Sequence, residues 1–541
     1  MSNQKLNTFW SNEIVNILYQ KGVRFVCISP GYRNAPLVKV FIENKNIKCF
    51  SHMDERSNAY FALGLAKKEN NPVVILTTSG TAAANLFPAI IESSLSMVPL
   101  IVITADRPEK AMNSGENQTI NQIDLYGKYV RNMYDLSCYK NISTLTKIEE
   151  SYDIAQGYKS IPGPVHINIR FDEPLLDDGI KDISYKIKLK TSIQKKVQFK
   201  IPICKKPLII CGGLSNSNPL DIIKLSKKLN CNIFADSLSN LRHYKEDNIL
   251  VYYDHYIILS MINPDLILRF GTKPISKNLA TFINKFKKCS YLFDSHLSFN
   301  DDCPNIIESD LNNIEFIYNP RKILEDEWNE RLRKLENKTK EVIEAIPITE
   351  KSEIHLIRTA INGFEKNDYL FIGNSMPIRI FDQFSGRLKY PLNIYSNRGA
   401  SGIDGIISTS LGMAYNNKSK NYLIIGDVSF FHDTNGFHIL NNESINITII
   451  VVNNNGGQIF KRLPYAKKSI NRFNQFWITP PKTKIKDLAN LYKLHYSNLT
   501  INQYSKKVHS ISNLKGVKII EIEVDSSKDI KIAEEITTYL I

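Results

Sequence analysis

The sequence predicts an α/β protein of three doubly wound parallel-sheet domains. Three observations lead there. Apolar runs of strand length alternate with helix-patterned segments along most of the 541 residues. Glycine-rich and polar clusters recur where the strands end. A lysine-rich stretch without a sustained apolar pattern and a highly charged stretch of helical pattern divide the chain. The division places domains at residues 1–182, 183–345 and 346–541. A chain that is 43% hydrophobic and 23% charged can fill cores of that size.

In the first domain, Thr8 to Gln20 suits a helix and Arg24 to Ser29 a short strand ending in Pro30-Gly31-Tyr32-Arg33-Asn34. A helix follows from Ala35. Cys49 to Met53 leads to Asp54-Glu55-Arg56 and a helix over Asn58 to Lys67. Val73 to Thr77 is a strand opening into Thr78-Ser79-Gly80-Thr81 and the helix Ala82 to Ser94. Pro99 to Thr104 ends in Ala105-Asp106-Arg107-Pro108, and Pro164 to Ile169 reads as the last strand. Lys181 to Lys206 reads as a linker. The middle domain then starts with Pro207 to Ile210 and the turn Cys211-Gly212-Gly213, which lacks the glycine spacing of a dinucleotide fingerprint. Asp265 to Phe270 and Ser290 to Phe293 continue it. Lys322 to Ala345 reads as a solvated connecting helix, and Ser352 opens the third domain.

Charge and cysteine content exclude several classes. The net charge of +15 is spread thinly, with no basic block interleaved with aromatics, so nucleic acid is not the expected partner. A positive field of this kind favours anionic substrates. The eight cysteines form no CxxC pair, which speaks against zinc or a disulfide framework and fits the reducing cytoplasm. No apolar run reaches membrane-spanning length and the N-terminus lacks a signal-peptide core, so no membrane partner is expected.

The densest chemistry lies in Leu423 to Phe460. Leu423 to Ile425 ends in Gly426-Asp427, and Ile447 to Val452 ends in Asn453-Asn454-Asn455-Gly456-Gly457. With a crossover helix over Thr434 to Asn442, this is one βαβ unit, whose parallel strands end side by side. One carboxylate, one amide oxygen and a glycine-rich backbone suit Mg²⁺ and phosphate. Turn formation alone is the competing reading. Glu55 has a structural alternative too, as a helix N-terminal acid. Arg33, Arg107, Arg379 and Arg398 all fall in loops after strands, where their planar forks suit carboxylates. No histidine pair has metal-ligand spacing and no Ser/His/Asp set is present.

These stretches together resemble the menaquinone-pathway family of 2-succinyl-5-enolpyruvyl-6-hydroxy-3-cyclohexene-1-carboxylate synthases (the MenD family). The matching segments are SPGYRNAPL (from Ser29), HMDERS (from His52), TTSGTAAANLFPAIIE (from Thr77), TADRP (from Thr104) and GENQTI (from Gly115). GNSMPIR (from Gly373), SNRGASGIDG (from Ser396) and VVNNNGGQIF (from Val451) complete the set. The resemblance implies the fold of thiamine diphosphate-dependent enzymes, with thiamine diphosphate and Mg²⁺ (Mn²⁺ as an alternative) as cofactors. It implies decarboxylation of 2-oxoglutarate and 1,4-addition of the resulting succinyl carbanion to isochorismate.

By the same resemblance Glu55 is catalytic, as the partner of the cofactor's pyrimidine nitrogen. Asp427, Asn454 and the Gly456 carbonyl hold the metal. Ser29, Thr78, Gly80, Ser401, Ile403, Gly426, Val428, Ser429, Gly457, Ile459 and Phe460 complete the cofactor site, Ile403 propping the cofactor in its bent form. Arg33, Arg107, Asn117, Gln118, Lys277, Ser375, Arg379, Arg398 and Leu463 contact substrate. A homodimer or homotetramer with the active site at the subunit interface is implied. Two residues depart from the family pattern: Tyr32 where serine is usual, and Asn278 after Lys277 where arginine is usual. The alternatives are another carboligase or decarboxylase, of the acetolactate synthase kind, and a non-catalytic relative.

Overall fold

The computed structural model describes residues 3–540, apart from 138–141, 159–160, 177–186, 188–195, 215–217, 260–261, 297–300, 310, 318–325, 348 and 469. It divides into two compact units. The first holds residues 1–192, 397–418 and 429–446, and the second 193–396, 419–428 and 447–541.

The sheet of the first unit contains β1 (Phe25–Ile28), β2 (Lys48–Ser51), β3 (Val73–Thr77), β4 (Leu100–Asp106), β5 (Met133–Ser137) and β6 (Pro164–Arg170). Their order is β2-β1-β3-β4-β6-β5, all parallel. Every residue of β3, β4 and β6 is buried, as expected of a parallel sheet covered on both faces. The predicted last strand, β6, is therefore interior. The edge strand β5 escapes sequence reading because its MYDLS run is short and mostly half-buried or exposed. The helix expected over Ala82 to Ser94 is two, Thr81–Asn85 and Phe87–Leu95. Pro88, which has no N–H to donate backward, accounts for the break.

Helix Glu55–Glu69 packs on helix Ile406–Ala414 at a distance that only glycine permits. A Cβ on Gly412 would lie 2.1 Å from the Phe61 carbonyl oxygen, and one on Gly64 2.0 Å from the Thr409 carbonyl oxygen. Gly412→Ala must push the helices apart. We expect it to cost about 1–3 kcal/mol in urea denaturation; a loss below about 0.5 kcal/mol would contradict this packing.

The second unit carries β7 (Val197–Lys200), β8 (Pro207–Cys211), β9 (Asn232–Ala235), β10 (Ile249–Leu250), β11 (Leu266–Phe270), β12 (Ser290–Asp294), β13 (Asn305–Glu308) and β14 (Ile314–Ile317). It also carries β15 (Tyr369–Ile372), β16 (Asn393–Tyr395), β17 (Asn421–Gly426), β18 (Ile447–Asn453), β19 (His495–Asn498) and β20 (Val517–Glu523). One parallel sheet runs β10-β9-β8-β11-β12-β13 and another β16-β15-β17-β18-β20-β19. Strands β7 and β14 form a separate parallel pair, so the end of the expected linker is structured. Most of that linker lies outside the described residues.

The middle sheet has the strand order of dinucleotide-binding folds, with its switch point between β8 and β11. Its own chain fills that point. A Cβ on Gly212 would lie 1.7 Å from the Thr272 carbonyl oxygen, which agrees with Cys211-Gly212-Gly213 being a packed turn. The charged helix is Asp326–Ala345 and is not simply solvated. Trp328, Leu332, Glu336, Thr339 and Ile343 are buried, about one helical turn apart. Among the described residues no disulfide forms and no helix is long and apolar enough to cross a membrane.

Candidate functional site

Strands β17 and β18 are parallel, with Gly426 beside Val452, so Asp427 and the Asn453–Asn455 run leave neighbouring strand ends. Helix Asp427–His432 begins on Asp427 itself. The rest of the crossover, Thr434–Asn441, is 3₁₀ rather than the α-helix expected. Gly436 lies there against Ser408, and glycine and asparagine are weak helix formers.

Asp427 is buried, and its carboxylate accepts from the Gly456 N–H at 2.7 Å and the Val428 N–H at 2.8 Å. Burial pushes its pKa up to about 6, against the pull of those backbone donors. Its anionic form is therefore short of positive charge. The Oδ1 of Asn454 is buried and accepts no hydrogen bond. An unpaired carbonyl oxygen beside an under-compensated carboxylate is a donor set for a hard divalent cation. The Gly456 carbonyl accepts from the Gln458 N–H at 2.8 Å and keeps a second lone pair. Gly456 has φ +113°, and a Cβ there would lie 2.3 Å from the Ile478 carbonyl oxygen, so this turn requires glycine. No cluster of three or more His, Cys, Asp or Glu occurs among the described residues, so a soft-metal site has no counterpart there. Beside Asp427, Glu353 is buried and pushed up to about 8, first by burial and then by Asp529.

The other predicted residues of this unit divide by setting. Gly457 donates its N–H to the Ile478 carbonyl at 2.7 Å. Ile459 leans on the core, whereas Phe460 and Leu463 are exposed. Ser375 adopts φ +74° ahead of helix Met376–Phe384, and its carbonyl accepts from Arg379 Nη1 at 2.5 Å. Lys277 lines a cleft of about 530 Å³ with Arg269 and Lys273. Asn278, in the position where arginine is usual, donates to Asp254.

In the first unit, Glu55 is the first residue of its helix and half-buried. Asp54 caps that helix, accepting from the Ser57 N–H at 3.2 Å, and also accepts from Asn435 at 2.7 Å. Glu55 is thereby relieved of capping; its Oε2 accepts from Asn85 at 3.4 Å. His52 shapes the turn before Glu55: its Nδ1 accepts from the Asp54 N–H at 3.1 Å, and burial lowers its pKa to about 4. Ser29 is buried and accepts from Asn58 at 3.0 Å; Thr78 is also buried.

Gly80 donates to buried Gln122 at 2.9 Å, and Gln122 donates on to Asn168 at 2.7 Å. Sequence reading overlooked this support, since a polar residue in a loop carries no sign of its burial. Gln118 adopts φ +59° and donates to the Ser79 carbonyl at 3.1 Å, while Asn117 is exposed.

The arginines are not all the free loop cations that the sequence suggests: Arg379 lies within helix Met376–Phe384, where a turn beginning at Met376 takes it off the loop. Arg33 is buried, bonding the Phe171 carbonyl at 3.2 Å and Glu173 at 2.8 Å. Arg107 pairs with Glu116 at 3.6 Å, yet its Nε is buried without a partner. Tyr32 is 68% exposed, with its ring 5.9 Å from the Arg33 guanidinium. Arg398, Ser401 and Ile403 lie on a loop ahead of helix Ile406–Ala414, Ser401 at φ +59° and Ile403 36% exposed.

Comparison with known proteins fits this chemistry. The thiamine pyrophosphate enzyme N-terminal TPP binding domain matches residues 10–125, and the C-terminal TPP binding domain matches residues 380–522. The pair defines a thiamine pyrophosphate enzyme. The 2-succinyl-5-enolpyruvyl-6-hydroxy-3-cyclohexene-1-carboxylate synthase of Lysinibacillus sphaericus is 32% identical, over 99% of this chain and 98% of its own. Synthases of the same name from two strains of Staphylococcus aureus are 34% identical, over 93% of this chain and 90% of theirs. The chain belongs to this synthase family.

Proposed function

We propose that the protein joins 2-oxoglutarate to isochorismate with loss of CO₂, giving 2-succinyl-5-enolpyruvyl-6-hydroxy-3-cyclohexene-1-carboxylate for menaquinone biosynthesis. The observation that carries this reading is similarity to synthases of that product along almost the entire chain. In this reading Asp427, Asn454 and the Gly456 carbonyl hold Mg²⁺ or Mn²⁺; the unpartnered Asn454 Oδ1 supports that assignment. When bound, thiamine diphosphate supplies a nucleophilic carbon and an electron sink for decarboxylation.

The chain's own residues orient and exclude. Glu55 holds a proton toward a pyrimidine nitrogen of the cofactor, and its freedom from capping supports that role. Ile403 would pack against the cofactor. Ser29, Thr78, Gly80, Ser401, Gly426, Val428, Ser429, Gly457, Ile459 and Phe460 surround it. Arg33, Arg107, Arg379, Arg398 and Lys277 hold substrate carboxylates, with Asn117, Gln118 and Ser375 on hydroxyls. Phe460 and Leu463, apolar and exposed in the chain, keep water from the reacting carbons. The enzyme acts in the cytoplasm as a homodimer or homotetramer, with its active site at the subunit interface. The chain divides functionally at about residues 182 and 345, into pyrimidine-binding, central and diphosphate-binding domains.

The test supplies both substrates, thiamine diphosphate and Mg²⁺, and follows loss of isochorismate absorbance together with CO₂ release. Both should depend on every component. A folded protein that consumes no isochorismate overturns the proposal.

A further inference from the structure

We infer that Glu92 is a positioning residue that sets the loop carrying Arg398 and Ile403. Glu92 lies on helix Phe87–Leu95 and its side chain is buried. Its two carboxylate oxygens accept from successive backbone N–H groups, Oε1 from Gly399 at 2.9 Å and Oε2 from Ala400 at 2.7 Å. Gly399, the first of the two donors, has no room for a side chain: a Cβ there would lie 2.6 Å from the Glu92 carbonyl oxygen. Lys67 stands 3.8 Å from Oε1 and donates to Asn397 Oδ1 at 2.7 Å.

The far end of the loop is held as well. Tyr60 donates to Asp404, and Gly405, at φ +65°, lies flat against the Tyr60 ring. Between these anchors, Ser401, Gly402 and Ile403 lie outside any helix or strand. A buried carboxylate is costly unless its oxygens are satisfied, and a hydrophobic side chain would pack this site at less cost. What the carboxylate adds is a two-pronged acceptor that fixes the backbone next to Arg398. Glutamine cannot replace it, because its NH₂ would face one of the two N–H donors.

The inference rests on the proposed function for the role of Arg398, and the test separates the two. Glu92→Gln, Arg398→Ala and the double variant are compared with the parent. Hydrogen exchange of residues 397–405, measured without substrates, should quicken about tenfold in Glu92→Gln. Strand β4 should be unchanged. The apparent KM of whichever substrate Arg398→Ala weakens should rise about tenfold in Glu92→Gln as well. The double variant should be no worse than Arg398→Ala.

Unchanged exchange at 397–405, or additive KM effects, would overturn the inference. If the parent shows no turnover, the proposed function fails and the exchange arm still decides the role of Glu92. If Glu92→Gln does not fold, Gly399→Ala, which displaces the same loop from the other side, is read by the same two criteria.

Discussion

Glu55→Gln should lower kcat by about a thousandfold while leaving the melting temperature and thiamine diphosphate affinity close to those of the parent. The structure makes this a clean substitution. Capping of the Glu55–Glu69 helix is done by Asp54, and Glu55 makes one long contact, with Asn85 at 3.4 Å. Glutamine has the same shape and can keep that contact, so the fold loses little. What it loses is the capacity to hold and release a proton. Steady-state turnover, calorimetric titration of the cofactor and a thermal melt on the same preparation separate these effects. A kcat within about tenfold of the parent would remove Glu55 from its assigned role.

Asp427→Ala should weaken Mg²⁺-dependent cofactor binding by more than about 100-fold and also destabilise the strand ends. The carboxylate takes both the Gly456 and the Val428 N–H, so alanine leaves two donors without an acceptor, at about 1–3 kcal/mol for each that stays buried. Asp427→Asn separates the two consequences. It keeps one acceptor oxygen, turns an NH₂ toward the other N–H donor, and removes the buried charge, whose burial pushes the carboxyl up to about 6. Without metal, the Asn variant should melt below the parent but above Asp427→Ala, since it loses one of the two acceptors. With Mg²⁺ and thiamine diphosphate, the parent should gain stability and the variant should not. Chelation by EDTA should take that gain from the parent. A variant that binds cofactor as the parent does would show that Asp427 is not a ligand.

Local pattern carried much of this protein. Strands β3, β4, β17 and β18 are short apolar runs, and burial on both faces leaves a parallel strand few other compositions. Gly426-Asp427 and Asn454 were visible because the residues that end such strands are polar against an apolar background. The same local view misjudged helix Asp326–Ala345. Its many charges obscured a buried stripe of Trp328, Leu332 and Ile343. It also ran one helix through Pro88.

Glu92 sits inside a segment whose resemblance was evident, yet it had no reading of its own. Its partners are backbone N–H groups at Gly399 and Ala400, about three hundred positions away. Backbone donors are identical in every residue but proline and leave no trace in composition or spacing. Arg33 and Arg107 show the same limit from the other side: their type and loop positions were legible, while the burial of Arg33 and the pairing of the two with Glu173 and Glu116 were not. Residue chemistry and strand order along the chain determine which groups this protein offers to a cofactor and an anionic substrate. Long-range packing decides which of them are held, neutralised or left unpaired, because burial and hydrogen bonding depend on neighbours that the local sequence does not contain.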